Sequence, residues 1–305
     1  MKHVLLATTA LTLSAGFAAA DVSLSGKAQA GTKTTTASGV TSSTSVAGID
    51  VNISASVTTD SGITLTVADD IGGGSMLDWN DDYAVDAQGT TIGQPTVTLS
   101  MSGTTITVDP NEVDDVYDDS QHGDYKITTS LAGFSIAYVG SSTGETATVG
   151  TATVRKSNSY SLGYTMGDLS FSVAGTSNGD AADSSAAAGF QAAEGDAMKW
   201  SASYKMGDMT LGMAMNNNGA NDDITSASVG YNMGNGLSIS LSADDNDDWD
   251  AGVTWSSGGV SVTYNTDENS DWDAYATYAL GGGASIFAST AKASDWSAIG
   301  VEFTF

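Results

Sequence analysis

Acidic side chains cluster in one stretch of the chain, DPNEVDDVYDDSQHGD, at residues 109–124. The carboxylates of this stretch belong to Asp109, Glu112, Asp114, Asp115, Asp118, Asp119 and Asp124. Carboxylates that are gathered at a narrow opening raise the local concentration of cations and repel anions. The stretch therefore predicts an acidic constriction, and the simpler alternative is a solvated external loop.

Two further acidic runs, DDNDDWD at 244–250 and DENSDWD at 267–273, have the hard oxygen ligands that Ca²⁺ prefers. The candidate ligands are Asp244, Asp245, Asp247 and Asp248. Both runs lack the glycine and the terminal glutamate of an EF-hand loop, so a site here would be irregular. Solvated acidic loops are the alternative. We expect that the protein requires no cofactor. Ca²⁺ is the only bound ion that the sequence suggests.

Signals for catalysis are weak. The chain has no cysteine, and His122 is its one histidine after residue 20. It has neither an HExxH sequence nor a phosphate-binding loop. STAK at 289–292 has the Ser-x-x-Lys spacing of penicillin-binding enzymes, but the partner motifs of those enzymes are missing. We therefore expect no enzymatic activity.

The overall charge is strongly negative, with 9 basic against 36 acidic residues and a formal net charge of −27. This charge excludes electrostatic binding to nucleic acid and attracts cations. Alternation along extended strands places four of the bases on a polar face, namely Lys27, Lys126, Lys199 and Lys205, and Arg155 at a strand end. Such bases either oppose the acidic stretch across a lumen or merely avoid lipid.

The first twenty residues, MKHVLLATTALTLSAGFAAA, combine a basic start, an apolar run and three small residues at the end. This order is typical of a secretory signal peptide, which predicts Sec-type export and a mature chain that starts at Asp21. A retained buried helix is the alternative. No later stretch has 18 consecutive apolar residues, so the sequence predicts no transmembrane helix. We treat residues 21–305 as one domain.

Eight short turn signals divide this domain into hairpins. They lie at 59–63, 102–104, 132–134, 166–169, 206–209, 233–237, 256–260 and 280–284. Eight hairpins and one strand at each end predict 18 strands. Longer polar segments separate the hairpins, at 31–45, 70–93, 109–123, 141–157, 176–196 and 216–223. Short turns on one rim and long loops on the other are typical of outer-membrane β-barrels.

Strand alternation is clear in MKWSASYKM at 198–206 and in LSISLSA at 237–243. A β-sandwich, as in a secreted adhesin or a Ca²⁺-binding surface protein, would alternate in the same way. Aromatic residues favour the barrel, because they share the apolar face close to the short turns, as in a membrane-interface girdle. This girdle comprises Tyr164, Tyr204, Tyr231, Trp255, Tyr278, Phe303 and Phe305. Trp296 breaks the alternation and would need a bulge.

The stretches DVSLSG at 21–26, TTDSGI at 58–63 and LGGGASIF with IGVEFTF near the end resemble the general porins of alphaproteobacterial outer membranes. The resemblance implies trimers of 16-stranded antiparallel transmembrane barrels, with short periplasmic turns, long extracellular loops and a third loop that folds inward. It also implies contact with outer-membrane lipid and lipopolysaccharide, and recognition of the final phenylalanine by the barrel-assembly machinery. The expected function is passive diffusion of ions and small hydrophilic solutes, with a preference for cations because of the charge.

Overall fold

The chain folds into antiparallel strands, and the computed structural model describes residues 21–80, 83–117, 122–141, 146–149, 152–155, 158–178, 195–217, 223–292 and 295–305. No helix in these ranges is long and apolar enough to cross a membrane. The predicted signal peptide, residues 1–20, lies outside them. The strands of the described ranges are β1 (Asp21–Ala37), β2 (Val40–Thr58), β3 (Thr64–Leu77), β4 (Val85–Ala87), β5 (Thr96–Met101), β6 (Thr104–Asp114), β7 (His122–Leu131), β8 (Phe134–Gly140), β9 (Thr146–Val149), β10 (Ala152–Arg155), β11 (Ser159–Met166), β12 (Leu169–Asn178), β13 (Gly195–Met206), β14 (Met209–Asn217), β15 (Ile224–Asn232), β16 (Leu237–Asp244), β17 (Trp249–Ser257), β18 (Val260–Asp267), β19 (Trp272–Gly281), β20 (Ala284–Ala291) and β21 (Trp296–Thr304).

All of these strands except β4, β9 and β10 form one closed wall. Its first strand pairs with its last, from Lys27 opposite Thr304 to Thr35 opposite Trp296. Gly26 and Phe305 also exchange two backbone hydrogen bonds, of 2.9 and 3.0 Å. Closure removes the open sheet edge that lipid could not satisfy. The prediction of 18 wall strands from the turn signals is confirmed, and the 16 strands implied by the resemblance are wrong for this chain.

The eight predicted turns all connect neighbouring wall strands at one end of the barrel, which we call the short-turn rim. The opposite end is the long-loop rim. One predicted loop, at 31–45, is wrong, because β1 and β2 run through it and turn at Ser38 and Gly39. Its threonines favour strands, and its threonine and serine hydroxyls pair across the two strands, as Thr34 and Ser43 do at 3.0 Å.

The two faces of the wall differ in chemistry. Large apolar side chains point outward and stay exposed, for example Ile239 (42%), Leu241 (47%) and Val253 (40%). Serine and threonine alternate with them on the inner face, where Ser240 faces the lumen. A soluble sandwich would bury its apolar face, so this arrangement does not support the adhesin alternative. The exposed apolar band is suited to lipid.

Trp296 needs no bulge. β21 pairs in unbroken register with both β1 and β20, and Trp296 lies on its inner face with 2% of its surface exposed. The ring is buried because Tyr83, from the connection between β3 and β5, packs on it at a centroid distance of 4.3 Å. The alternation is therefore intact, and the predicted bulge is wrong.

Candidate functional site

The acidic stretch forms a hairpin that enters the barrel. β6 and β7 pair regularly as far as Val108 opposite Tyr125, and the register then shifts before Val113 meets Gly123. Beyond this irregularity the Tyr117 hydroxyl donates a hydrogen bond of 2.6 Å to Oδ1 of Asn216 on β14. β14 lies five strands along the wall from β7. We call residues 109–117 and 122–124 the acidic hairpin.

A row of inner-wall side chains shows where the acidic hairpin lies. Val139, Ser159, Thr176 and Ala197 sit in register on β8, β11, β12 and β13, and each is at most 2% exposed. The backbone N–H of Val116 donates to Oγ of Ser159 at 3.1 Å. The acidic hairpin therefore covers the inner face of these strands and narrows the lumen from that side.

The carboxylates of the acidic hairpin fall into two groups. Asp109, Asp115 and Asp124 are buried, at 9%, 5% and 3% exposure. Thr96 donates a short hydrogen bond to Asp109, and the Tyr117 N–H donates to Asp115 at 2.5 Å. Their burial keeps all three carboxylates away from the water of the lumen.

Glu112 and Asp114 form the second group, because both are exposed. Oδ1 of Asp114 also lies 3.3 Å from Nδ1 of His122. Asp118 and Asp119 lie outside the described residues. Within the described part of the acidic hairpin, Glu112 and Asp114 are therefore the carboxylates that can act on a passing ion. The constriction role of the whole set stays a prediction.

The predicted lumen bases have different surroundings. Lys27 pairs with Glu302 at 2.8 Å, and Lys199 donates to the carbonyl of Tyr117 at 2.6 Å while lying 5.2 Å from the centre of its ring. Lys126 lies on the inner face opposite Thr107, and Lys205 is exposed near the short-turn rim. Arg155 ends β10, which pairs with β9 in a separate two-stranded sheet that is not part of the barrel wall.

Sequence analysis missed one inner base, Lys33 on β1. Its Nζ donates to the carbonyl of Tyr83 and lies 5.6 Å from the centre of the Trp296 ring. Lys33 has the same parity as Lys27, which was the available signal. The sequence predicts a loop at 31–45, and strand parity does not apply to a residue in a loop.

The inner wall of β15–β18 differs from the rest. It carries serine and threonine side chains such as Ser228, Ser240 and Thr254. Near the long-loop rim it carries carboxylates, and with one on β19 they form what we call the acidic wall: Asp244, Asp250, Asp267 and Asp273. No lysine or arginine occurs between Lys205 and Lys292. This sector therefore has negative charge and no basic side chain of its own.

A closed barrel with an inward-folded acidic hairpin agrees with the comparison of the sequence with known families. A family model for Gram-negative porins matches residues 7–301. The chain belongs to that family. The porin is therefore a passive channel of the bacterial outer membrane, which it crosses with its barrel strands. No curated protein sequence is significantly similar to it.

Solved structures of the Rhodopseudomonas blastica porin have a similar fold. A triple mutant of that protein aligns with 93% of this porin and 100% of its own chain, with a TM-score of 0.55 and 16% identity. A double mutant gives a TM-score of 0.54 and 15% identity over the same shares. The resemblance to alphaproteobacterial porins is confirmed.

Two of the four predicted Ca²⁺ ligands of the porin, Asp244 and Asp245, accept hydrogen bonds from backbone amides. Oδ1 of Asp244 accepts from the N–H groups of Asn246 (2.9 Å) and Asp248 (3.2 Å), and Asp245 accepts from Thr225 at 2.9 Å. No group of three or more potential metal ligands converges within the described ranges. Ca²⁺ binding stays a prediction.

The loop after β16 nevertheless concentrates negative charge. Partial loss of hydration raises the pKa of Asp248 above its ordinary value, and repulsion from neighbouring carboxylates adds to this. The repelling carboxylates are those of Asp244, Glu268, Asp250 and Asp247. Glu268 comes from the loop after β18 and accepts from the N–H of Trp249 at 3.2 Å. The two acidic loops therefore meet at the long-loop mouth.

The predicted girdle residues lie on the outer face near the short-turn rim. Tyr204, Tyr231, Trp255, Tyr278, Phe303 and Phe305 are between 41% and 49% exposed, and Tyr164 is half-buried against Phe134 at 4.5 Å. Phe303 and Phe305 stack at 5.7 Å. Their role at the membrane interface and the recognition of Phe305 by the assembly machinery stay predictions.

Proposed function

We propose that this porin conducts ions and small hydrophilic solutes with a preference for cations. The observation that carries the proposal is the acidic wall on the sector of the lumen that has no lysine or arginine. Asp250 is exposed and the other three carboxylates of the acidic wall are partly exposed, so all four can act on an ion in the lumen. A passing cation is therefore attracted along this sector, while an anion is repelled.

The arrangement of the inner bases supports the same conclusion. Lys199 donates to the carbonyl of Tyr117, Lys33 donates to that of Tyr83, and Lys27 pairs with Glu302. Two of these lysines thus hold inward-folded backbone, and the third has its charge balanced by a carboxylate. Within the described part of the chain, none of these three lysines forms an ion pair with a carboxylate of the acidic wall.

A planar bilayer with a KCl gradient tests the proposal. We expect the sign of the reversal potential to show K⁺ as more permeant than Cl⁻ when the salt is near 0.1 M, where the Debye length is about 10 Å. The preference should fade near 1 M, where the Debye length is about 3 Å. A channel that prefers Cl⁻ at the lower concentration would contradict the proposal.

We also propose that the porin assembles as a homotrimer through the outer faces of its first strands. In the part towards the long-loop rim those faces carry small side chains, such as Ala30 on β1 and Ala47 on β2, whereas Val22 and Leu24 lie nearer the short-turn rim. The small side chains contrast with the leucine, methionine and aromatic side chains that face outward elsewhere. Small residues allow close approach between chains inside a membrane.

The oligomeric state of the purified porin tests the proposed homotrimer. The wild-type porin should run on SDS gels as an oligomer that collapses on heating, and Ala30→Trp should weaken this oligomer because the new ring blocks close approach. Ala227→Trp is the matched control, because Ala227 faces outward on β15, away from β1. A monomeric mass of the wild-type porin in mild detergent, measured by light scattering, would refute the assembly.

A further inference from the structure

A second hairpin also enters the barrel, from the connection that follows β3. β3 pairs with β2 as far as Gly74 opposite Gly48 and then leaves the wall. Gly74 has a φ of 75°, and a Cβ there would lie 2.1 Å from the carbonyl oxygen of Ala47. Only glycine fits this bend without strain. The end of β3 then pairs with β4, from Ser75 opposite Ala87 to Leu77 opposite Val85. We call residues 75–80 and 83–87 the inner hairpin.

Aromatic packing fastens the inner hairpin to the lumen wall. The Trp79 ring stacks on Phe287 of β20 at 5.1 Å and 10°, and meets Tyr275 of β19 edge-on at 5.7 Å. Phe287 lies flat because Gly300 leaves room for it: a Cβ at Gly300 would be 2.4 Å from its ring. Trp79 and Phe287 are 8% and 0% exposed. This packing places the inner hairpin inside the barrel.

Hydrogen bonds fasten the same hairpin at separate points. Gln29 of β1 accepts from the N–H of Leu77 at 2.6 Å and donates to its carbonyl at 3.0 Å. Ser289 donates to the carbonyl of Trp79, and Lys33 donates to that of Tyr83. The partners lie on β1 and β20, and Trp296 of β21 contacts Tyr83 between them. The inner hairpin therefore lies on the lumen side of the place where β1 and β21 pair and close the barrel.

The two inward hairpins cover different sectors of the wall. The acidic hairpin covers β8 and β11–β13 and reaches β14, whereas the inner hairpin covers β1, β21, β20 and part of β19. In the sector of β15–β18, Thr263 is the one inner-face side chain that is buried among the described residues. Tyr83 of the inner hairpin lines a cleft together with Asp250, Asp267 and Asp273.

We propose that the inner hairpin is a second constriction, which confines permeation to the corridor between the two hairpins and the acidic wall. It sets the size limit of the channel and brings solutes close to the carboxylates. The corridor suits small hydrophilic solutes that are cationic or neutral. This inference rests on the proposed function for the charge preference, but its effect on size is independent of charge.

Release of the inner hairpin tests the size limit. Trp79→Ala removes the aromatic stack, and Lys33→Met removes the donor to the Tyr83 carbonyl while keeping an unbranched chain against Trp296. We expect Trp79→Ala to raise single-channel conductance in about 1 M KCl about twofold, because a wider lumen conducts more. The exclusion limit for graded polyethylene glycols should rise with it. Lys33→Met should change both quantities in the same direction by a smaller factor.

Matched controls separate release of the inner hairpin from general damage. Trp249→Ala removes a tryptophan from the outer face, and Lys33→Arg keeps a cationic donor, so both should behave as wild type. If the Trp79→Ala and Lys33→Met variants fold as heat-modifiable barrels but keep wild-type conductance and exclusion limit, the second constriction is refuted. An anion-selective wild type with an enlarged Trp79→Ala pore would instead refute only the charge preference.

A cysteine in place of Tyr83 tests the position of the inner hairpin in the lumen without releasing the hairpin from the wall. Because the chain has no cysteine, Tyr83→Cys is the sole target for a bulky thiol reagent added to the open channel. We expect labelling to lower the conductance, since Tyr83 lines the cleft beside the acidic wall. Complete labelling without a change in conductance would overturn the proposal.

Discussion

Leu241→Arg should remove most of the folded porin from the outer membrane. Leu241 lies near the middle of β16 on the outer face, with 47% of its surface exposed. An arginine on the lipid-facing side of a barrel costs about 2–4 kcal/mol near the midplane. That loss is a large fraction of the stability of an ordinary domain, so the population of folded barrel should fall steeply.

Ser240→Arg is the matched control for Leu241→Arg. Ser240 precedes Leu241 directly, is also exposed, and faces the lumen opposite Gly252. The new guanidinium would be hydrated there, so this variant should fold, as judged by heat modifiability on SDS gels. It should also shift the reversal potential towards anions, because it adds a cation beside the acidic wall. Equal folding of the two variants would contradict the assignment of the faces.

Neutralising the acidic wall should have the largest effect on selectivity. Asp250→Asn together with Asp267→Asn removes two lumen charges and keeps an oxygen acceptor at each position, including the one that binds the Asp271 N–H. We expect the reversal potential near 0.1 M KCl to fall to about half, because two of the four acidic-wall carboxylates lose their charge. Folding should be unaffected.

Two comparisons make the acidic-wall result specific. Asp60→Asn with Asp168→Asn removes the same charge at the short-turn rim and should change the reversal potential less. Glu112→Gln with Asp114→Asn measures the share of the acidic hairpin. If the rim pair lowered the reversal potential as much as the wall pair, net charge alone would explain the selectivity, and the acidic wall would have no special role.

The sequence by itself determined the barrel and its two faces. Turn residues and period-two alternation are local properties, since they depend on backbone conformation within a few residues. The run from Leu237 to Ala243 alternates in the sequence and does so in the wall. The turn signals predict the number of wall strands, and the net charge predicts a preference for cations. The error at 31–45 arose because threonine and serine are as common in loops as at exposed strand positions.

Only the tertiary structure decided how the lumen is filled. Gln29 meets Leu77 across 48 positions of the chain, and Tyr117 meets Asn216 across 99. Such contacts depend on which strands closure brings together, and no local pattern encodes them. Long-range packing of Tyr83 from the inner hairpin likewise buries Trp296, although Trp296 breaks the outward alternation in the sequence. A side chain that faces the lumen is buried where an inward hairpin covers it and hydrated where none does. Burial inside the barrel is therefore decided by long-range packing.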